Sequence, residues 1–276
     1  MIPGFKLLLQ GPAGTGKTYS TRTLFDLEGI TPFHLFLEQS QTTIGDKEDA
    51  HYAYISPSGK SVTWDTLKQM GKKINTMDNA GFQGSAVGNR RDHTQWLEMI
   101  DILNNFTDQN GEEFGDVLEW GTDRALVIDG LTGITRMARG LTAGMRPLLT
   151  QPDYGVVMFN IASFLNYLID EVQCHFVLIA HVEKERDEVA GGMSTMVSTI
   201  GRKLAPTIPP MFDDVVLAKQ TGTSFIWSVV EDDTTVKSRN LPLKDDMEQD
   251  FGILLDAWRG NGGIIAPGKG VDLGVK

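Results

Sequence analysis

The sequence holds a single cysteine, Cys174, in 276 residues. One thiol excludes an intramolecular disulfide framework and a multi-cysteine zinc site. It leads us to expect a reducing, cytoplasmic setting. Apolar runs approaching the ~20 residues of a membrane span are also missing. The opening stretch MIPGFKLLLQGP lacks the basic start and small-residue cleavage site of a secretory leader, so none is expected. Positive charge is scarce as well. Against 36 Asp and Glu stand 25 Lys and Arg, a formal net charge of −11. Such a surface repels nucleic acid and anionic membranes as a whole, so any nucleic-acid site has to be a local basic one.

What the chain does have is an early phosphate loop. GPAGTGKT, Gly11 to Thr18, follows the apolar run FKLLLQ. It fills the pattern G-x-x-x-x-G-K-[ST], in which glycines let successive backbone N–H groups turn inward onto phosphate oxygens. Gly11, Pro12, Ala13, Gly14, Thr15, Gly16, Lys17, Thr18 and the following Tyr19 are the expected nucleotide contacts. Lys17 should reach the β- and γ-phosphates of ATP, and Thr18 should offer its hydroxyl to Mg²⁺. A helix starting near Lys17 would add its positive end.

A second metal-binding carboxylate is expected at the end of a buried strand, and RALVIDG supplies Asp129. Gly130 follows it, so a water-orienting base has to come from elsewhere. Glu38, closing the strand PFHLFLE, is the candidate. His181, closing HFVLIAH, is placed to sense the γ-phosphate.

Further strands are predicted at His51–Ser56 and further helices over TWDTLKQMGKKIN, RDHTQWLEMIDILNNF and VVMFNIASFLNYLIDEV. DDVVLAKQ, SFIWSVVED and TTVKSRNL then suggest antiparallel hairpins. The fold class expected is α/β, a mostly parallel sheet extended by antiparallel C-terminal strands. The domain expected is residues 1–258, with 259–276 a flexible Gly-rich tail.

Taken together, GPAGTGKT, Glu38, LVIDGLTGI, LIAHVEKERDE and VKSRNLPL resemble the RecA-type P-loop ATPases. Within these they are most similar to the phage-encoded RecA-like family of single-strand DNA annealing and recombination proteins. The matching pieces span most of Leu7 to Leu243. The resemblance implies a RecA-like core, ATP hydrolysis, single-stranded DNA binding, and assembly into filaments or rings with ATP between subunits. It also implies a bacterial host cytoplasm and phage single-strand-binding or replication proteins as further partners.

In TTVKSRNL, Lys237 and Arg239 lie two apart on a predicted strand, so both leave one face. The resemblance implies that they reach the γ-phosphate of an adjacent subunit; a pair of edge-protecting cations is the alternative. Two stretches stand where the family places its DNA loops. Residues 136–155 carry Arg136, Arg139 and Arg146, and residues 183–211 carry Arg202 and Lys203. Such cations would give sequence-independent, salt-sensitive binding. Met193, Met196, Val197 and Ile200 either insert between bases or pack internally. The first strand begins near Phe5, leaving no room for the N-terminal docking element of RecA recombinases. That favours annealing or loading over strand exchange. Other readings are a ring-forming translocating motor, a P-loop small-molecule kinase, and a module that binds ATP without hydrolysis.

Overall fold

The computed structural model describes residues 2–57, 63–78, 81, 90–144, 146–186 and 193–269. Met145 and residues 187–192, which belong to the two cationic stretches, lie outside the described residues, as do the tail residues 270–276.

Near-continuous apolar runs, whose successive side chains point to opposite faces, call for a sheet covered on both sides. The strands are β1 (Lys6–Gly11), β2 (Thr31–Phe36), β3 (His51–Tyr54), β4 (Arg124–Asp129), β5 (His175–Arg186), β6 (Met193–Val197), β7 (Asp214–Thr221), β8 (Ser224–Ser228) and β9 (Met247–Glu248). Their order is β3-β2-β4-β5-β1-β7-β8-β9, with β6 paired to β5. From β3 to β7 the neighbours are parallel. At the C-terminal edge β8 and β9 run antiparallel. The architecture is therefore the expected one, an α/β fold whose mostly parallel sheet is extended by antiparallel C-terminal strands.

Leu8, Leu126, Ile128, Phe176 and Leu178 point to one face. There they meet α3 (Gln95–Asn104), α4 (Leu131–Ala143) and α5 (Gln151–Glu171). Leu7, Leu9, Ala125, Val127, Val177 and Ile179 point to the other. That face is covered by α6 (Phe251–Gly260), a helix with no counterpart in the sequence expectations. Asp250 caps it by accepting from Gly252 N at 2.8 Å, and Phe251, Leu254, Leu255 and Trp258 form its buried stripe. A further helix, α2 (Trp64–Asn75), has no buried residue and contributes to neither layer.

Three expectations change. TTVKSRNL is not a strand; it makes only isolated bridges, Thr195↔Thr234 and Val215↔Lys237. The buried Asp214 carboxylate accepts from the backbone N–H groups of Arg239, Asn240 and Leu241, curling the chain around itself. The first cationic stretch is mostly helix, because α4 and α5 leave only a short connector. The start of the glycine-rich tail is held in place. Thr122 Oγ1 donates to Ile264 O at 2.7 Å and accepts from Ala266 N at 2.9 Å, and a side chain at Gly268 would collide with the Glu119 carbonyl.

Candidate active site

β1 ends in Gly11, packed so closely on β7 that a Cβ there would lie 2.5 Å from the Ala218 carbonyl oxygen. The loop that follows turns twice through left-handed backbone, at Gly14 (φ 79°) and Gly16 (φ 81°), a conformation that glycine adopts without steric cost. Lys17 lies buried beneath it and donates to Gly11 O at 2.8 Å and Pro12 O at 2.7 Å. Burial lowers the Lys17 ammonium to about 8, against the opposing pull of Asp129 and Glu38. The helix expected after the loop is brief: α1 (Lys17–Ser20) tightens into a 3₁₀ segment, Thr21–Asp26. An anion held here would therefore depend on the loop amides and Lys17 more than on a helix dipole.

Parallel pairing sets Phe36 of β2 beside Asp129 of β4, and Asp129 beside Ile179 of β5. Glu38, Asp129 and His181 thus rise at one end of the sheet, around a cavity of about 270 Å³ that the loop also lines. Asp129 Oδ2 accepts from Thr18 Oγ1 at 2.9 Å and from Ser40 Oγ at 2.8 Å. Burial raises the Asp129 carboxyl above its usual range, and those two hydroxyls partly offset it. A buried carboxylate flanked by two hydroxyl oxygens is a hard donor set that suits Mg²⁺. Ser40 was missed in the sequence because a serine two residues past a strand-end glutamate carries no motif of its own.

Glu38 is held differently. His181 Nε2 lies 3.4 Å from Glu38 Oε2, and this hydrogen bond lowers the Glu38 carboxyl, with Arg136 and Lys17 adding to it against desolvation. Glu38 is therefore ionised at neutral pH. Its carboxylate occupies the space a side chain would need at residue 130: a Cβ on Gly130 would sit 2.9 Å from Glu38 Oε1. The glycine after Asp129 makes room for an acid delivered from the neighbouring strand.

Lys237 and Arg239 are not at this site. They lie level with Val215 and Asp213, beside the first half of β1, ~10–17 Å of strand before Gly11. Lys237 Nζ donates to the Pro210 and Phe212 carbonyls, and the exposed Arg239 guanidinium pairs with Asp213.

The cationic stretches are also less free than their sequences suggest. Arg146 pairs with Asp153 at 2.9 Å, and Arg139 donates to the Arg146 and Pro147 carbonyls. Arg202 lies 3.6 Å from Glu185, whereas Lys203 is exposed. In the second stretch β6 pairs antiparallel with the outer half of β5, and short 3₁₀ turns follow at Ala205–Thr207 and Pro209–Met211. Val197 is buried, Met196 and Ile200 pack against the core, and Met193 is exposed.

The model of a family described as "AAA domain" matches residues 4–240. No curated protein sequence matches this chain. Among solved structures, a crystal structure of the RadB recombinase is similar at 12% identity and a TM-score of 0.37. The likeness covers 88% of this chain and 84% of that one, and is too remote to bear on function. Among the described residues, no helix is long and apolar enough to cross a membrane.

Proposed function

Because this chain belongs to the AAA domain family, we propose that it is a RecA-like ATPase that binds single-stranded DNA as an oligomer, in the manner of phage annealing and recombination proteins. Gly11 to Tyr19 cradle the triphosphate of ATP, and Lys17 neutralises its outer phosphates. Thr18, Asp129 and Ser40 would hold Mg²⁺, which when bound supplies charge neutralisation between the phosphates. The ionised Glu38 orients the attacking water. Arg239, with Lys237, completes the site of an adjacent copy.

One observation carries this reading, the Glu38–His181 contact. His181 stands where β5 leaves the main sheet and pairs with β6 instead, and its carbonyl accepts from Ser198 N, just past β6, at 2.7 Å. A change at Glu38 thus has a covalent and hydrogen-bonded route into the segment that leads to Arg202 and Lys203. Coupling of this kind is what an ATPase gated by a polymer requires.

The test is ATP turnover with and without single-stranded DNA across a salt series. DNA should stimulate turnover at low salt and lose its effect as salt rises. Glu38→Gln should lower turnover by about 10²–10⁴-fold while leaving nucleotide binding intact. A rate indifferent to DNA at low salt removes the DNA-dependent reading. A rate indifferent to Glu38→Gln removes the assignment of the base.

A further inference from the structure

α2 carries its own stabilising devices. Thr63 caps it, its Oγ1 accepting from Thr66 N at 3.2 Å, and Lys72 and Lys73 close its last turn, where the negative end of a helix favours cations. Trp64, Leu67, Met70 and Ile74 follow one another at steps of three and four, so they share one face. No residue of the helix is buried, and at its leading end Trp64 is 86% exposed and Leu67 43%. Lys68 and Lys72 follow Trp64 at steps of four and form a row along the edge of the apolar face. A tryptophan held out in water on a capped helix is the kind of anchor that dominates binding surfaces.

A groove of opposite charge opens between α3 and α5. Ile100, Leu103, Phe164, Tyr167 and Leu168 line it, with Asp116 beside them. Its volume is about 230 Å³, below the ~300–1,000 Å³ of small-molecule pockets and suited to a large side chain. Ile100 and Tyr167 remain exposed within it. The segments that wall it hold no cation, for residues 95–119 and Gln151–Glu171 contain neither lysine nor arginine. The exposed Asp170 and Glu171 stand three and four residues past Tyr167, on its face of α5.

We propose that α2 of one copy docks its Trp64 face into the α3–α5 groove of a second copy, with Lys68 and Lys72 set against Asp170 and Glu171. The proposal rests on the reading of the chain as an oligomer and adds the surfaces that join the copies. It needs neither nucleotide nor DNA. Topology gives the contact its sense. β3 leaves the sheet at Tyr54, level with Phe36 and so with Asp129, and residues 55–63 lead from it to α2. The groove lies towards the opposite end, where α5 hands over to β5 at His175. A helix tethered at one end of the sheet and a receptor at the other make a heterologous, head-to-tail contact. The charges decide between partners. Anionic lipid attracts Lys68 and Lys72 but leaves the cation-free groove without a role, whereas a second copy uses both surfaces.

Sedimentation velocity of the full-length chain, over a concentration series at low salt and without nucleotide, reads the contact. The wild type should self-associate and loosen as salt rises. Trp64→Ala should weaken self-association by about 30-fold or more, with the circular dichroism of the fold unchanged, and Trp64→Phe should restore part of it. Lys68→Glu with Lys72→Glu, and Asp170→Lys with Glu171→Lys, should each weaken it by about tenfold. Mixing those two doubly reversed chains should restore association, since a reversed helix then meets a reversed groove. A mixture no tighter than either chain alone overturns the proposal. Self-association indifferent to Trp64→Ala, or a wild type that assembles only with MgATP and single-stranded DNA, overturns this contact and leaves the oligomer reading standing. A wild type that stays monomeric with and without those ligands removes the oligomer reading as well. Trp64-dependent binding of a monomeric chain to phosphatidylcholine–phosphatidylserine vesicles assigns α2 to a lipid surface and overturns the proposal too.

Discussion

At the residue scale, Lys17 has a titration that can be followed. Its folded-state pKa is depressed to about 8 by burial, below the ~10.4 of a free lysine. Between those values the folded chain holds fewer protons than the unfolded one, so this group makes unliganded folding more favourable as pH rises through that window. Ligand binding runs the other way, since phosphates need the ammonium charged. We expect nucleotide affinity to be flat below about pH 8 and then to fall by up to about tenfold per pH unit, with uptake of as much as one proton per nucleotide bound. Calorimetry in buffers of different ionisation enthalpy reads that proton directly. Lys17→Arg should bind more weakly and without the slope. Constant affinity in the wild type from pH 7 to 9 would refute the assignment. That the loop, Asp129 and Glu38 would lie at strand ends was legible in the sequence, because a glycine-rich turn and a buried strand's end impose local patterns, and the structure sets them around one cavity. Ser40 and Gly130 were not, since each matters only once another strand brings Glu38 and Asp129 together.

Elements were legible where periodicity and burial agree, and misread where a single polar group overrides propensity. Thr234 to Leu241 has the β-branched start of a strand, but the carboxylate of Asp214 collects its backbone N–H groups and bends it away. The opposite error hid α6. Its signal was present in Asp250 as cap and apolar residues at 251, 254, 255 and 258, just ahead of a glycine-rich stretch. That helix is wired to the phosphate loop's segment, for Phe251 N donates to Thr23 Oγ1 at 2.9 Å. Leu254 is fully buried, so Leu254→Ala should cost about 2–5 kcal/mol in chemical denaturation. Gly71, inside α2 with open space where a side chain would go, gives the contrasting case. Gly71→Ala should stabilise by up to about 1 kcal/mol. Little loss from Leu254→Ala would mean that α6 is not part of the folded core.

For the whole molecule, the two ends of the sheet carry unlike chemistry. The C-terminal ends of β1 and β4 hold the phosphate loop and Asp129, level with His181 in the middle of β5, whereas Lys237 and Arg239 lie beside the start of β1. A chain with both cannot bring them to one nucleotide, but a head-to-tail pair of chains can, through a heterologous interface of the kind that closes rings or grows filaments. Arg239 is the freer of the two cations, because Lys237 is already committed to the Pro210 and Phe212 carbonyls. Lys17→Ala and Arg239→Ala chains should each be nearly inactive alone. Mixed in equal amounts and assembled at random, they should recover about a quarter of the wild-type rate, since one junction in four joins an intact loop to an intact arginine. Asp213→Ala provides the control for a structural role. It removes the partner of Arg239 within the chain, so it should spare turnover if Arg239 acts across the junction. It should mimic Arg239→Ala if the arginine serves only to brace its own subunit. A mixture that assembles like the wild type yet recovers no activity would exclude a shared site.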